Sequence, residues 1–227
     1  SSSMGFINIF CNTIYCCWIF IWKPELNFKN SDYAISSRWR ANFINTAELT
    51  AEMNNRFTYL FSEFDPTGTD GAIPLPANKG YAYTNFNLSY RSDQRKNFSY
   101  RIEPSVGTFF NGKKYSLTTN LAWRIQPYFS GSMQINYDKV ILPNPFPNAS
   151  IWLIGPKIDI TFNKSLFWST FIQYSSQQEN FGINTKLQWR FAPLSDLFIV
   201  YNDNYYSNNF APRFKSLNLK LTYWLNI

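Results

Sequence analysis

Polar and apolar residues alternate along most of this chain with a period of two. Residues 180–191, NFGINTKLQWRF, place Phe181, Ile183, Thr185, Leu187, Trp189 and Phe191 on one phase. Gly182, Asn184, Lys186, Gln188 and Arg190 take the other. Successive side chains of a strand point to opposite faces, so this pattern predicts a β-strand with one oily and one wet face. The same scheme predicts strands over residues 33–44, 48–63, 82–91, 98–110, 115–126, 129–141, 151–162, 166–176, 180–191, 196–205 and 215–227. A shorter piece at 26–29 brings the count to about twelve. The Ala, Glu and Met content of residues 48–63 also suits a helix, but the unbroken two-residue period into FTYLF overrides it.

Connection lengths carry further information. The long ones are residues 64–81, 143–150 and 206–214, and with this strand list all three fall at one end of the sheet. The other end has short turns, the longest at 92–96. Bacterial outer-membrane barrels show that asymmetry, with long loops outside and short turns in the periplasm. About twelve antiparallel strands closed into a barrel leave an interior too wide for side chains to fill, since roughly eight strands is the packed limit. An inward apolar phase would then line a void. The pattern therefore predicts an all-β, antiparallel up-and-down transmembrane barrel, its oily phase in lipid and its wet phase lining the lumen. Residues 216–227, SLNLKLTYWLNI, put Leu217, Leu219, Leu221, Tyr223, Leu225 and Ile227 outward. The soluble alternative is a two-sheet sandwich, which needs hydrophilic outer faces and shorter strands.

Composition narrows the chemistry. Aromatics make up 20% of 227 residues while mean hydropathy stays slightly negative, the combination that strict alternation produces. Histidine is absent, which removes Ser-His-Asp sites, most zinc sites and the commonest general base. The formal charge is +7. Its cations are spread one or two per strand, which suits anionic lipid and lipopolysaccharide and argues against nucleic acid. The wet phase offers Arg38, Arg40, Glu48, Glu52, Arg56, Arg101, Glu103, Arg124, Asp159, Lys186, Arg190 and Lys220 as lumen-lining residues. Carboxylates among them form candidate pairs for glycoside hydrolysis, but interspersed arginines favour bracing ion pairs. No catalytic, metal or cofactor residue is assigned. Asp65 and Asp70 of FDPTGTDG lack the spacing of a calcium loop and read as a turn-rich external loop. Tyr81, Tyr83, Tyr205 and Tyr206 near loop ends read as girdle or loop-packing residues, with sugar stacking the alternative.

Residues 1–22 stand apart from the barrel domain expected over 23–227. Met4 to Trp22 is apolar and uncharged, holds Cys11, Cys16 and Cys17, and lacks the alternation seen later. It reads as a hydrophobic leader or as a truncated or damaged strand. The chain opens on Ser1, which fits a fragment.

Four stretches carry a family resemblance: FDPTGTDG at 64–71, WRIQPY at 123–128, LFWSTFIQYSSQ at 166–177 and LQWRFAPLSDLFIVYNDNY at 187–205. Together they resemble the C-terminal outer-membrane barrel, a domain of unknown function, of bacterial proteins with an N-terminal family-9-type carbohydrate-binding domain. The carbohydrate-binding domain has no counterpart here. The resemblance implies a Gram-negative outer-membrane location, the barrel-assembly machinery as partner, and a link to glycans. An anchor or pore in the cell envelope is the expected role. A barrel-associated hydrolase of glycans or lipids and a soluble β-sandwich binding module are the alternatives. Detergent dependence separates the sandwich from the barrels, and turnover on glycans or lipids separates the hydrolase from the pore.

Overall fold

The structure, a computed structural model, describes residues 10–22, 30–68 and 71–225. Its strands in chain order are β1 (Phe10–Trp22), β2 (Asn30–Asn42), β3 (Glu48–Leu60), β4 (Lys79–Arg91), β5 (Phe98–Phe109) and β6 (Gly112–Ile125). There follow β7 (Phe129–Ile141), β8 (Ala149–Thr161), β9 (Leu166–Ser175), β10 (Asn180–Ala192), β11 (Ser195–Tyr206) and β12 (Pro212–Thr222). Each neighbours its sequence neighbours in one 12-stranded sheet. The ladders from β1 to β4 and from β9 to β12 are antiparallel, as hairpin connection requires. In that order β1 comes first and β12 last. Residues 48–60 are strand, so the two-residue period did outweigh helix propensity there.

Several boundaries differ from the sequence reading. The apolar N-terminal segment forms β1, paired with β2 along its length with irregularities at Cys11/Thr13 and Ile21/Trp22. Its run of Ile, Phe, Tyr and Trp has high strand propensity whatever its phase. The piece at 26–29, Asp70 of the long loop and the terminal Ile227 lie outside the described residues. β3 ends at Leu60, not 63, because Phe64 and Leu75 exchange backbone hydrogen bonds at 3.2 and 2.8 Å and close a loop hairpin. The last strand runs Pro212–Thr222, beginning three residues earlier and stopping sooner than expected.

The chain divides into two compact units. In the first (residues 1–94, 101–118 and 137–150), the 61–78 connection folds back on the strand ends. Leu75 is fully buried with Tyr81 and Tyr83 of β4, and Leu60, Phe110 and Phe146 pack against them. Tyr81 and Tyr83 share the wet phase, opposite Thr58 and Arg56, so this small apolar core sits on the wet side of the first unit. They are loop-packing residues. Asp65 Oδ1 accepts from the Thr67 backbone N–H at 2.8 Å and its hydroxyl at 2.7 Å, a local turn bond. At the opposite end, Asn45 Oδ1 accepts from Ala47 N, and Thr46, at φ 62°, donates its hydroxyl to Asp93 at 2.9 Å. This ties the β2–β3 turn to the β4–β5 turn. Gly107 of β5 allows close strand approach: a Cβ there would overlap the Thr84 carbonyl oxygen and Asn85.

In the second unit (residues 95–100, 119–136 and 151–227), a polar ladder crosses three strands on the wet phase. Asn184 donates to Asn202 Oδ1, and Asn202 donates to Ser216 Oγ at 3.1 Å. The two-residue β10–β11 turn uses Leu194 at φ 57°. Ser195 beside it is 1% exposed and accepts from Trp224 N at 3.1 Å, holding the chain beyond β12.

Aromatic pairs sit near strand ends on the oily phase. Tyr33 stacks on Phe57 with centroids 5.6 Å apart in the first unit. In the second, Phe98 meets Trp123 at 5.3 Å, and Phe191 stacks on Tyr223 at 6.4 Å. Such rings are the composition of an interfacial girdle.

Because strands run in sequence order and antiparallel, connections after odd-numbered strands lie at one end and those after even-numbered strands at the other. The 61–78, 110–111, 142–148, 176–179 and 207–211 connections share the first end; the second has 43–47, 92–97, 126–128, 162–165 and 193–194. Orientation is testable in chains whose Cys11, Cys16 and Cys17 are replaced by alanine. For an outer-membrane barrel with its long connections outside, Ile73→Cys, in the long loop, is expected to react with an impermeant maleimide on intact cells. Ile44→Cys, in the β2–β3 turn, is expected to react only after permeabilisation of the outer membrane. The reverse pattern would invert the assignment of the two ends.

Candidate functional site

Strand pairing brings half of the candidate lumen residues together in the first unit. Arg38 of β2 lies directly opposite Glu52 of β3, and Arg40 opposite Thr50, so all four share a face. Arg38 Nε reaches Glu52 Oε2 at 2.8 Å, and Arg40 Nε lies 3.5 Å from Glu48 Oε1. On β5, Arg101 and Glu103 are two residues apart on one face and pair at 2.6 Å. Arg101 also donates to Ser89 Oγ at 3.3 Å. These six charged residues line a cavity of about 420 Å³ with Thr50, Asn87, Ser89, Ser105, Ser116 and Thr118. Ser105 donates to Asn87 Oδ1 at 2.5 Å, and Thr50 to Glu48 at 3.2 Å.

The cavity is an alternation of three guanidiniums and three carboxylates with hydroxyls between. Each carboxylate is engaged by an arginine, so the set favours holding strands in register and binding polar, multiply hydrogen-bonding solutes. The cavity opens to water: the Arg38 and Arg101 side chains are 45% and 49% exposed.

The remaining candidates fall elsewhere. Arg56 stands on the same face of β3 opposite Tyr83, beyond the cavity. In the second unit, Asp159, Ser169 and Lys186 form a row across β8, β9 and β10. Asp159 accepts from Ser169 at 2.6 Å and pairs with Lys157 at 3.1 Å. Arg190 pairs with Asp196 at 3.3 Å, lies over the Phe167 ring at 5.9 Å, and shares Asp196 with Gln188 at 3.1 Å. Arg124 lies near the end of β6, and Lys220 of β12 faces Phe198.

Two ionic features escaped the sequence reading. Lys114 of β6 and Asp138 of β7 pair at 3.2 Å on the wet face. Both lie on wet phases, but only strand pairing reveals that they meet. The other is Asp203, 2% exposed, on the oily phase of β11 opposite Ile183 and Lys215. Its Oδ2 accepts from Tyr201 at 2.5 Å and Tyr205 at 2.6 Å, and Lys215 Nζ lies 3.3 Å away. The spacing Tyr201-x-Asp203-x-Tyr205 in the sequence was the available signal: an acid alone on an oily phase needs donors on that phase. Tyr205 thus serves this carboxylate.

No family model matches the sequence, and no curated protein does. Among solved structures, a NanC porin in a rhombohedral crystal form aligns over 86% of this chain and 94% of that chain, at 12% identity and a TM-score of 0.36.

The Arg38–Glu52 pair is half open to water, which limits its worth. A double-mutant cycle with Arg38→Gln and Glu52→Gln is expected to give a coupling of about 0.2–1 kcal/mol. Urea unfolding measures it, and 1 M salt should shrink it. A coupling above roughly 3 kcal/mol would mean that the pair is shut off from water.

Proposed function

We propose that this chain is a transmembrane β-barrel of a Gram-negative outer membrane, serving as anchor or pore of a cell-envelope protein. One observation carries the reading: the oily phase stays uncovered along the strands. Trp39, Phe86, Leu88 and Val106 in the first unit are 41, 53, 44 and 47% exposed, and Trp189 and Leu219 in the second are 49 and 68%. Among the described residues the buried hydrophobic ones are instead Ala47, Leu75, Tyr81, Tyr83, Val140 and Leu142, in connections, near strand ends or on the wet phase. A soluble sandwich buries its oily phase between sheets. Lipid is the solvent that suits the opposite arrangement, because no water need be ordered over Leu, Phe and Trp.

The wet phase supports the same reading from the other side. Its charges pair in small networks exposed to water, as a hydrated lumen allows and a dry core does not. The 61–78 loop, packed on the lumen side through Leu75, constricts that end of the first unit. The resemblance to barrels that follow a carbohydrate-binding domain extends the reading to an envelope system handling glycans. The engagement of Glu48, Glu52 and Glu103 by arginines favours a pore or anchor over a glycan hydrolase.

Adjacent positions test the assignment of faces. Leu187→Arg points a cation into lipid and is expected to cost about 2–4 kcal/mol at mid-bilayer. Gln188→Arg points into water beside Asp196 and is expected to fold within about 0.5 kcal/mol of the parent. Folding yield and unfolding free energy in vesicles give both values. If Gln188→Arg is the more damaging, the oily face is inward and the chain is a soluble β protein.

A further inference from the structure

Charged residues on the oily phase are few, and their distribution is one-sided. In the described strands whose side-chain phases alternate cleanly they are Lys113, Lys139, Asp203 and Lys215; Arg213 sits beside the Asn204/Tyr205 bulge. All lie within four residues of strand ends joined by the connections that follow odd-numbered strands, the set that includes 61–78 and 142–148: Lys113 is second in β6, after the short 110–111 turn, Lys139 third from the end of β7, Asp203 fourth from the end of β11, Lys215 fourth in β12. No oily-phase charge occurs toward the short-turn end of these strands.

Lys215 is matched by Asp203 at 3.3 Å. Lys113 and Lys139 differ. Their neighbours Lys114 and Asp138 pair at 3.2 Å on the wet face, which places the two lysines at one level on the opposite, oily face of adjacent strands β6 and β7. Both are exposed, and no carboxylate pairs with either among the described residues. Two ammonium groups on neighbouring strands of one face repel, and at a lipid boundary the repulsion is poorly screened. Below them on the same phase lie Tyr115, Leu117 and Tyr137, an aromatic and aliphatic surface fit for acyl chains and a ring–headgroup contact.

We propose that Lys113 and Lys139 form a seat for a phosphate group of an outer-leaflet glycolipid, the phosphorylated lipid A class. This rests on the membrane reading above and on the loop-rich end facing outward. A phosphate supplies the missing anion to both ammonium groups, while its acyl chains cover the oily phase beneath. Charge complementarity selects a phosphorylated headgroup over a zwitterionic one, whose own cation would meet the lysines.

The full chain is folded into phosphatidylcholine vesicles containing bisphosphorylated lipid A, or lipid A with both phosphates removed, and lipid retained after detergent extraction is measured by native mass spectrometry. The parent is expected to retain the phosphorylated lipid at least fivefold over the dephosphorylated one. Lys113→Gln/Lys139→Gln is expected to lose that preference while folding to the parent's yield. Lys96→Gln/Lys164→Gln removes the same charge from short-turn connections and is expected to keep it. Equal retention of both lipids by the parent, or a preference intact without Lys113 and Lys139, overturns the seat and leaves the barrel standing. Loss of the preference in the Lys96/Lys164 variant as well would assign it to net charge and also overturn the seat. Failure of the parent itself to fold into any vesicle would instead overturn the membrane reading, and the seat with it.

Discussion

A strand in lipid has no water to satisfy its backbone, so its N–H and C=O groups must find neighbouring strands. In the membrane barrel proposed for this chain, everything else depends on that ladder. It explains why β1, whose sequence lacks clean alternation, is still held as a strand: its pairing with β2 is a backbone matter. It explains why connections are hairpins, since short turns bring the next strand into antiparallel register at the lowest loop-closure entropy. It also leaves the side chains free to divide between two solvents, because the backbone makes no demand on which face is oily.

That division sets the energetics of both faces. On the oily phase, the proposed barrel would draw its stability in lipid from matching Leu, Phe and Trp to acyl chains, and a stray charge is costly unless donors converge on it, as Tyr201, Tyr205 and Lys215 do on Asp203. On the wet phase, charges remain hydrated, so each ion pair contributes little alone. Their value lies in register. Arg38 opposite Glu52, and Lys114 near Asp138, would be separated or moved to the wrong face by a one-residue slip, which transfers every side chain across the sheet. The polar ladder Asn184–Asn202–Ser216 does the same for β10 to β12.

The small apolar core is the exception to a two-solvent scheme. Leu75 returns from the long connection to pack with Tyr81, Tyr83 and Phe110 on the wet side of the first unit. A loop of this length would otherwise carry a large ordering cost with little burial to offset it. By burying Leu75 and closing the Phe64–Leu75 bridge, it acquires local structure.

Alternation in the sequence was enough to determine the strand class, most strand positions, the composition of each face and the shared end of the 61–78 and 142–148 connections, because a period of two is written directly in residue order; the third expected long connection shrinks to 207–211, shorter than 92–97 at the other end, because β12 begins at Pro212. It determined too that Arg38, Arg40, Glu48, Glu52, Arg101 and Glu103 share the wet phase. Which of them meet was a tertiary matter. Partners 14 residues apart, such as Arg38 and Glu52, are joined by strand register, which depends on turn geometry and bulges that phase does not encode. The same holds for Tyr81 and Tyr83: their position in the sequence allowed a girdle, a sugar platform or a loop contact. Only the return of Leu75 onto them decided it, since contacts between a loop and a strand leave no periodic trace in the chain.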